Sequence, residues 1–124
     1  MSSSVPTGFT PVEYLALERA SDRKHELVDG AIVARAGARP PHNMLAANVT
    51  VALGLLSRER GCAVLTSDQR VHVPATGLYA YPDVTVACGE RRYDDGEPPS
   101  LLARASYSGV PVLRSRIRSA TSRS

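Results

Sequence analysis

Apolar and polar residues alternate along the chain in short blocks, some with helical spacing and some with the two-residue spacing of strands. Thr10-Pro11-Val12-Glu13 has the form of a helix start. The Thr10 hydroxyl can accept the Glu13 amide hydrogen, the Glu13 carboxylate can reach back to Thr10, and proline fits the first helical position. This predicts a helix from Pro11 to about Ala20, with Val12 and Leu15, three apart, sharing its buried face. Asp29-Gly30 then separates two short apolar runs. Both positions of such a turn need positive φ, which Asp-Gly supplies, so residues 26–28 and 32–34 are expected to pair as a hairpin. Residues 37–41 read as a loop.

A longer helix is predicted over residues 42–59, with Leu45, Val49, Leu53 and Leu56 on one stripe. Met44, Val51 and Leu55 lie off that stripe, so the helix is apolar on more than one side and needs cover on more than one side. The sheet plus another helix would provide that cover, or a second subunit in place of that helix. Gly61 ends the helix. Residues 62–65 and 70–73 read as strands, residues 74–77 as a turn, and residues 83–88 as the last convincing strand. Pro82 introduces that strand and forces the preceding residue to be extended. Residues 89–99 form a polar, acid-rich loop. From Ala103 the chain is dominated by Ser, Arg and Ala, and no helix or strand period holds there. The elements together predict an α/β (α+β) fold.

Charge sharpens that division. The net +3 of the 124 residues is −2 up to Leu102 and +5 beyond it, since residues 103–124 carry five arginines and no acid. The tail is read as disordered, its composition being too polar to form a core. Binding of nucleic acid by counterion release is the alternative, ranked low because Tyr107 is its only stacking aromatic. Length allows one domain. No apolar run approaches the roughly 18 residues that span a bilayer, and the start lacks the pattern of a signal peptide, so a cytoplasmic protein is expected. Cys62 and Cys88 sit in apolar surroundings without zinc-ligand spacing, and are expected to be buried reduced thiols.

Two acids stand out by context. Asp83 opens a strand of Val, Thr, Val and Ala, and Glu26 opens the first hairpin. A carboxylate at the mouth of an apolar strand is half-desolvated and can hold a hard cation such as Mg²⁺ through oxygen. For either acid alone, a turn-capping or solvated carboxylate is the plainer reading.

The order of short motifs adds to this. Thr-Pro-x-Glu-Tyr-Leu, His25-Glu26-Leu-Val-Asp-Gly30, Ala-Gly37-Ala with His42 opening a helix, Ser67-Asp68-x-Arg70-Val71 and Tyr81-Pro82-Asp83-Val84 follow one another. The series resembles the Uma-two restriction endonuclease family, a branch of the PD-(D/E)XK nuclease superfamily, over about residues 8–102. The resemblance implies a restriction-endonuclease-like core, a mixed sheet flanked by helices, and hydrolysis of DNA phosphodiesters with Mg²⁺ or Mn²⁺. By position it implies Asp83 and Glu26 as catalytic metal ligands. His25, His42 and Asp68 stand at family positions and receive no chemical role.

Beyond Leu102 the chain departs from the family pattern. A strand carrying Glu, then a helix carrying Lys, should follow. Residues 103–124 contain neither residue, and the only lysine is Lys24. The domain is therefore expected to be incomplete at its C-terminus, through truncation or a frame shift near codon 102. Four missing buried Val or Leu side chains, about 1.5–3 kcal/mol each, rival a whole domain's stability of about 5–15 kcal/mol. Val84 and Val86 would then lie on an open edge. The sequence thus points to a metal-dependent endonuclease with little activity in this form, or alternatively to a non-catalytic remnant or partner-dependent nucleic-acid-binding fragment.

Overall fold

The computed structural model describes residues 5–103 and the backbone of Val112–Leu113. Helix α1 spans Pro11–Ala20, with the reciprocal Thr10–Glu13 capping box in place. Strands β1 (His25–Val28) and β2 (Ala31–Ala34) form the expected hairpin. Asp29 and Gly30 both have positive φ, 50° and 80°. The Gly30 carbonyl accepts the Phe9 N–H at 3.0 Å, tying the N-terminal segment to the turn.

Helix α2 spans Pro40–Ser57, starting two residues before the expected boundary, and continues as a short 3-10 turn over Arg58–Arg60. Strands β3 (Cys62–Thr66), β4 (Val71–Val73), β5 (Leu78–Ala80) and β6 (Val84–Cys88) follow. The hairpin partner β5 was not expected. Its three residues run straight into Pro82, and the pattern gave them only the role of leading into the next strand. Strands β7 (Leu101–Leu102) and β8 (Val112–Leu113) complete the order.

The strands form two sheets. One has the order β2-β1-β5-β4-β7 and is mixed, because β7 runs parallel to β4 while the other pairs are antiparallel. The other, β3-β6-β8, is antiparallel. Two helices with a mixed sheet agree with the expected restriction-endonuclease-like α+β class, although the strands divide between two sheets.

Of the two residues expected on the buried face of the first helix, Leu15 packs against the core and Val12 does not. Tyr14 is fully enclosed, whereas Val12 is 76% exposed. Tyr14 packs with Leu27 and Tyr79, and its hydroxyl donates to the His25 carbonyl at 2.7 Å. Between the sheets, Val71, Ala87, Leu101 and Ala103 make a second core, with Leu65 and Val73 against it.

Two expectations are corrected. Cys62 and Cys88 are not free thiols but a disulfide. They are register partners on β3 and β6, and only that pairing, across 26 residues of sequence, brings them together. The Asp83 strand is also not a bare edge: β8 pairs with it through Val84–Leu113 and Thr85–Val112. That strand carries no acid. The rest of the basic tail, for which disorder was expected, lies outside the described residues.

Candidate functional site

Glu26 lies one strand in from the edge of the five-stranded sheet, on β1 between β2 and β5, and is 9% exposed. Its Oε2 accepts the Tyr81 backbone N–H at 2.8 Å. Tyr81, Pro82 and Asp83 form the extended link from β5 into β6, so Glu26 abuts the segment that ends in Asp83. The register pairs Glu26 with Val33. Arg35 stands two residues beyond Val33, which puts Arg35 and Glu26 on one face of the pleat. The Arg35 N–H donates to the Lys24 carbonyl at 2.9 Å, which prolongs the hairpin pairing to that point.

Asp83 meets two cationic or potentially cationic side chains. Its Oδ1 accepts from the Arg35 guanidinium at 2.6 Å, and its Oδ2 lies 3.4 Å from His42 Nε2. His42 is in the first turn of α2, whose N-terminal partial charge also favours a carboxylate nearby. The Asp83 side chain is 10% exposed and Arg35 26%. A carboxylate this enclosed needs such partners, because an unpaired buried charge is expensive.

Two residues along β6, on the same face as Asp83, Thr85 is fully buried. Its hydroxyl has no hydrogen-bond partner among the described residues. Buried polar groups are normally satisfied, and the Thr85 hydroxyl is an exception close to Asp83.

The other family positions lie elsewhere. His25 points to Glu18, with Nδ1 3.1 Å from Oε1. Asp68 is 82% exposed and accepts from Lys24 Nζ at 2.6 Å. That hydrogen bond and the lysine charge lower its pKa. Lys24, the only lysine, is thereby engaged away from Asp83. Tyr81 links the two regions: its N–H holds Glu26, and its hydroxyl donates to Glu18 at 2.6 Å. Burial, then the Glu18 hydrogen bond, pushes the Tyr81 phenol up, which keeps it a donor. The Tyr81 ring also lines a cleft of about 220 Å³ with Glu18, Lys24, Asp68, Arg70 and Pro98. Neither Glu26 nor Asp83 lines that cleft.

Arg35 and His42 are the residues whose association with Asp83 could not be read from the sequence. They lie 48 and 41 positions from it, and no local pattern couples them. As a cation site the donor set fits in kind, since Mg²⁺ manages with one or two carboxylates completed by water and phosphate oxygens. It fits less well in charge, because Arg35 already neutralises Asp83. Among the described residues no three His, Cys, Asp or Glu side chains form a cluster suited to a metal ion, and no helix is long and apolar enough to cross a membrane.

Comparison with known proteins agrees with the motif order. The chain is 34% identical over 99 residues to the uncharacterized protein sll1609 of Synechocystis sp., covering 76% of this chain and 56% of that protein. It is 30% identical over 82 residues to the uncharacterized protein slr1290 of the same organism, covering 66% and 43%. The chain thus spans about half the length of the curated relatives it matches. No solved structure matches it significantly. Residues 11–113 match the profile of the family described as "Uma2: Putative restriction endonuclease", and over that span, most of its length, the chain belongs to this family.

Proposed function

We propose that the chain carries the cation-binding half of a DNA endonuclease site, with Asp83 and Glu26 as the ligands. What supports this reading is that Glu26 accepts from the Tyr81 N–H, two residues before Asp83, and that Arg35 and His42 stand beside Asp83. When bound, Mg²⁺ or Mn²⁺ would polarise the phosphate and lower the pKa of a water molecule. The Tyr81 N–H holds the Glu26 carboxylate in place. Arg35, 2.6 Å from Asp83, would supply a fixed positive charge beside the site, where such cations stabilise developing charge, and His42 places a ring nitrogen 3.4 Å from Asp83.

Turnover by these 124 residues alone is expected to be low. Residues 103–124 hold no acid and no lysine, and loss of one electrostatic donor costs on the order of 10²–10³ in rate. Plasmid nicking with Mg²⁺ or Mn²⁺, with Asp83→Ala as control, tests the reading. Weak, metal-dependent nicking that disappears in the variant supports it. Nicking that is unchanged in the variant, or independent of metal, rejects it.

A second reading is a non-catalytic fragment that binds nucleic acid, or folds fully only with a partner. Its support is the Arg35–Asp83 pair, which satisfies the carboxylate without any metal. Salt-dependent DNA binding that is indifferent to divalent cations and to Asp83→Ala would favour it over the first.

A further inference from the structure

Helix α2 has two faces of different character. Ala46, Val49, Thr50, Leu53, Gly54 and Ser57 face β3 and β6 and are half-buried or buried. Met44, Val51 and Leu55 on the opposite side of the helix, with Leu45 and Leu56 on its flank, are between 61% and 67% exposed. From Pro40 to Ser57 the helix contains no Asp, Glu, Lys or Arg. A soluble helix normally turns charge outward; this one turns outward its largest apolar side chains.

The two ends of the outward strip are alike. Apolar pairs stand at both ends, Met44-Leu45 and Leu55-Leu56, and between them lie Asn48 and then Val51-Ala52. Reversed end for end about residue 50, the two apolar end pairs exchange, while Asn48 exchanges with Ala52. Met44 and Leu45 would meet Leu55 and Leu56 of a copy, and Val51 would lie closest to the axis. Exposed Arg39, just before the helix, would come alongside exposed Glu59 of the copy, whereas a parallel arrangement would bring Arg39 against Arg39. The uncharged helix offers nothing else to repel a copy of itself.

We propose that α2 is a self-docking surface, through which two copies of the chain pair with antiparallel α2 helices about a two-fold axis near Val51. The contact is isologous, the same patch serving both subunits. An 18-residue helix is about 27 Å long, so the strip covers a few hundred Å², the size that marks interaction surfaces. It falls short of the about 800 Å² per partner of a standard interface, so the dimer is expected to dissociate in the micromolar range.

Sedimentation velocity on the full chain, from about 1 to 200 μM, should show a reversible shift from the 13.2 kDa chain mass to twice that mass. Leu55→Glu should raise the dissociation constant by about 100-fold or more while leaving the circular dichroism unchanged. Oxidative cross-linking locates the axis. Val51→Cys should form a covalent dimer, Met44→Cys alone should not, and a mixture of Met44→Cys and Leu56→Cys chains should form the mixed dimer. A monomer at 200 μM, open-ended association, or self-cross-linking of Met44→Cys in preference to Val51→Cys would each overturn the proposal. So would a chain that stays monomeric and binds neutral lipid vesicles instead.

Discussion

Replacing Arg35 by Met separates the two roles that its contact with Asp83 could serve. The ion pair is 2.6 Å long, with side-chain exposures of 26% and 10%. Breaking a fully buried pair costs about 3–5 kcal/mol, and an exposed one is worth about 0–1 kcal/mol. Arg35 is about a quarter exposed, so an intermediate cost of about 2 kcal/mol is expected for the metal-free chain. At about 4 °C per kcal/mol for a domain near 100 residues, Arg35→Met should lower Tm by roughly 8 °C. A divalent cation at Asp83 should supply the missing charge, so saturating Mn²⁺ should restore much of that loss. Wild type must first displace its arginine, so its Mn²⁺ affinity should be about tenfold or more weaker than the variant's, as 1.4 kcal/mol is tenfold. Thermal melts with and without Mn²⁺ measure both effects. If Arg35→Met binds Mn²⁺ more weakly than wild type, Arg35 supports the cation site rather than competing with it, and the reasoning fails.

Other consequences follow from particular contacts. Gly30→Ala should destabilise the N-terminal half, because a Cβ there would sit 3.0 Å from the Gly8 nitrogen at a φ of 80°. Left-handed geometry alone costs an L-residue about 1–2 kcal/mol, and a melt unchanged within 0.5 °C would contradict this. Burial raises the Asp94 pKa, but N–H groups of Ser100 and Gly96 outweigh it and hold the folded value below 3.8. A depressed carboxylate adds stability above its unfolded pKa and loses it as pH falls through the folded one. Asp94→Asn should therefore flatten the fall in Tm between about pH 5 and pH 2. A variant with the same acid profile as wild type would remove Asp94 from the explanation.

The local signals in the chain were legible because their causes are local. The Thr10–Glu13 box and the Asp29–Gly30 turn depend on residues within a few positions of one another, and both formed as expected. The α2 stripe holds at its centre and fails at its ends for a physical reason. Val49 and Leu53 do face the sheet, together with the small residues Ala46, Thr50, Gly54 and Ser57 that allow close approach, but Leu45 and Leu56 do not. Hydrophobicity alone cannot tell a face that seats on a sheet from one left for another partner. Strand register was likewise hidden: it joined Cys62 to Cys88 and added β8 beside β6. The motif order located Glu26 and Asp83, but their surroundings came from distant segments. Arg35 reaches Asp83 from the end of the first hairpin and His42 from the first turn of α2.

Mn²⁺ binding to the unmodified chain, followed by loss of the free-ion electron paramagnetic resonance signal, addresses the central claim without depending on turnover. One site per chain is expected, with binding reduced about tenfold or more by Asp83→Asn and by Glu26→Gln separately, as two carboxylates on one cation require. Binding that survives both substitutions, or that responds to only one of them, would mean that Asp83 and Glu26 do not share an ion.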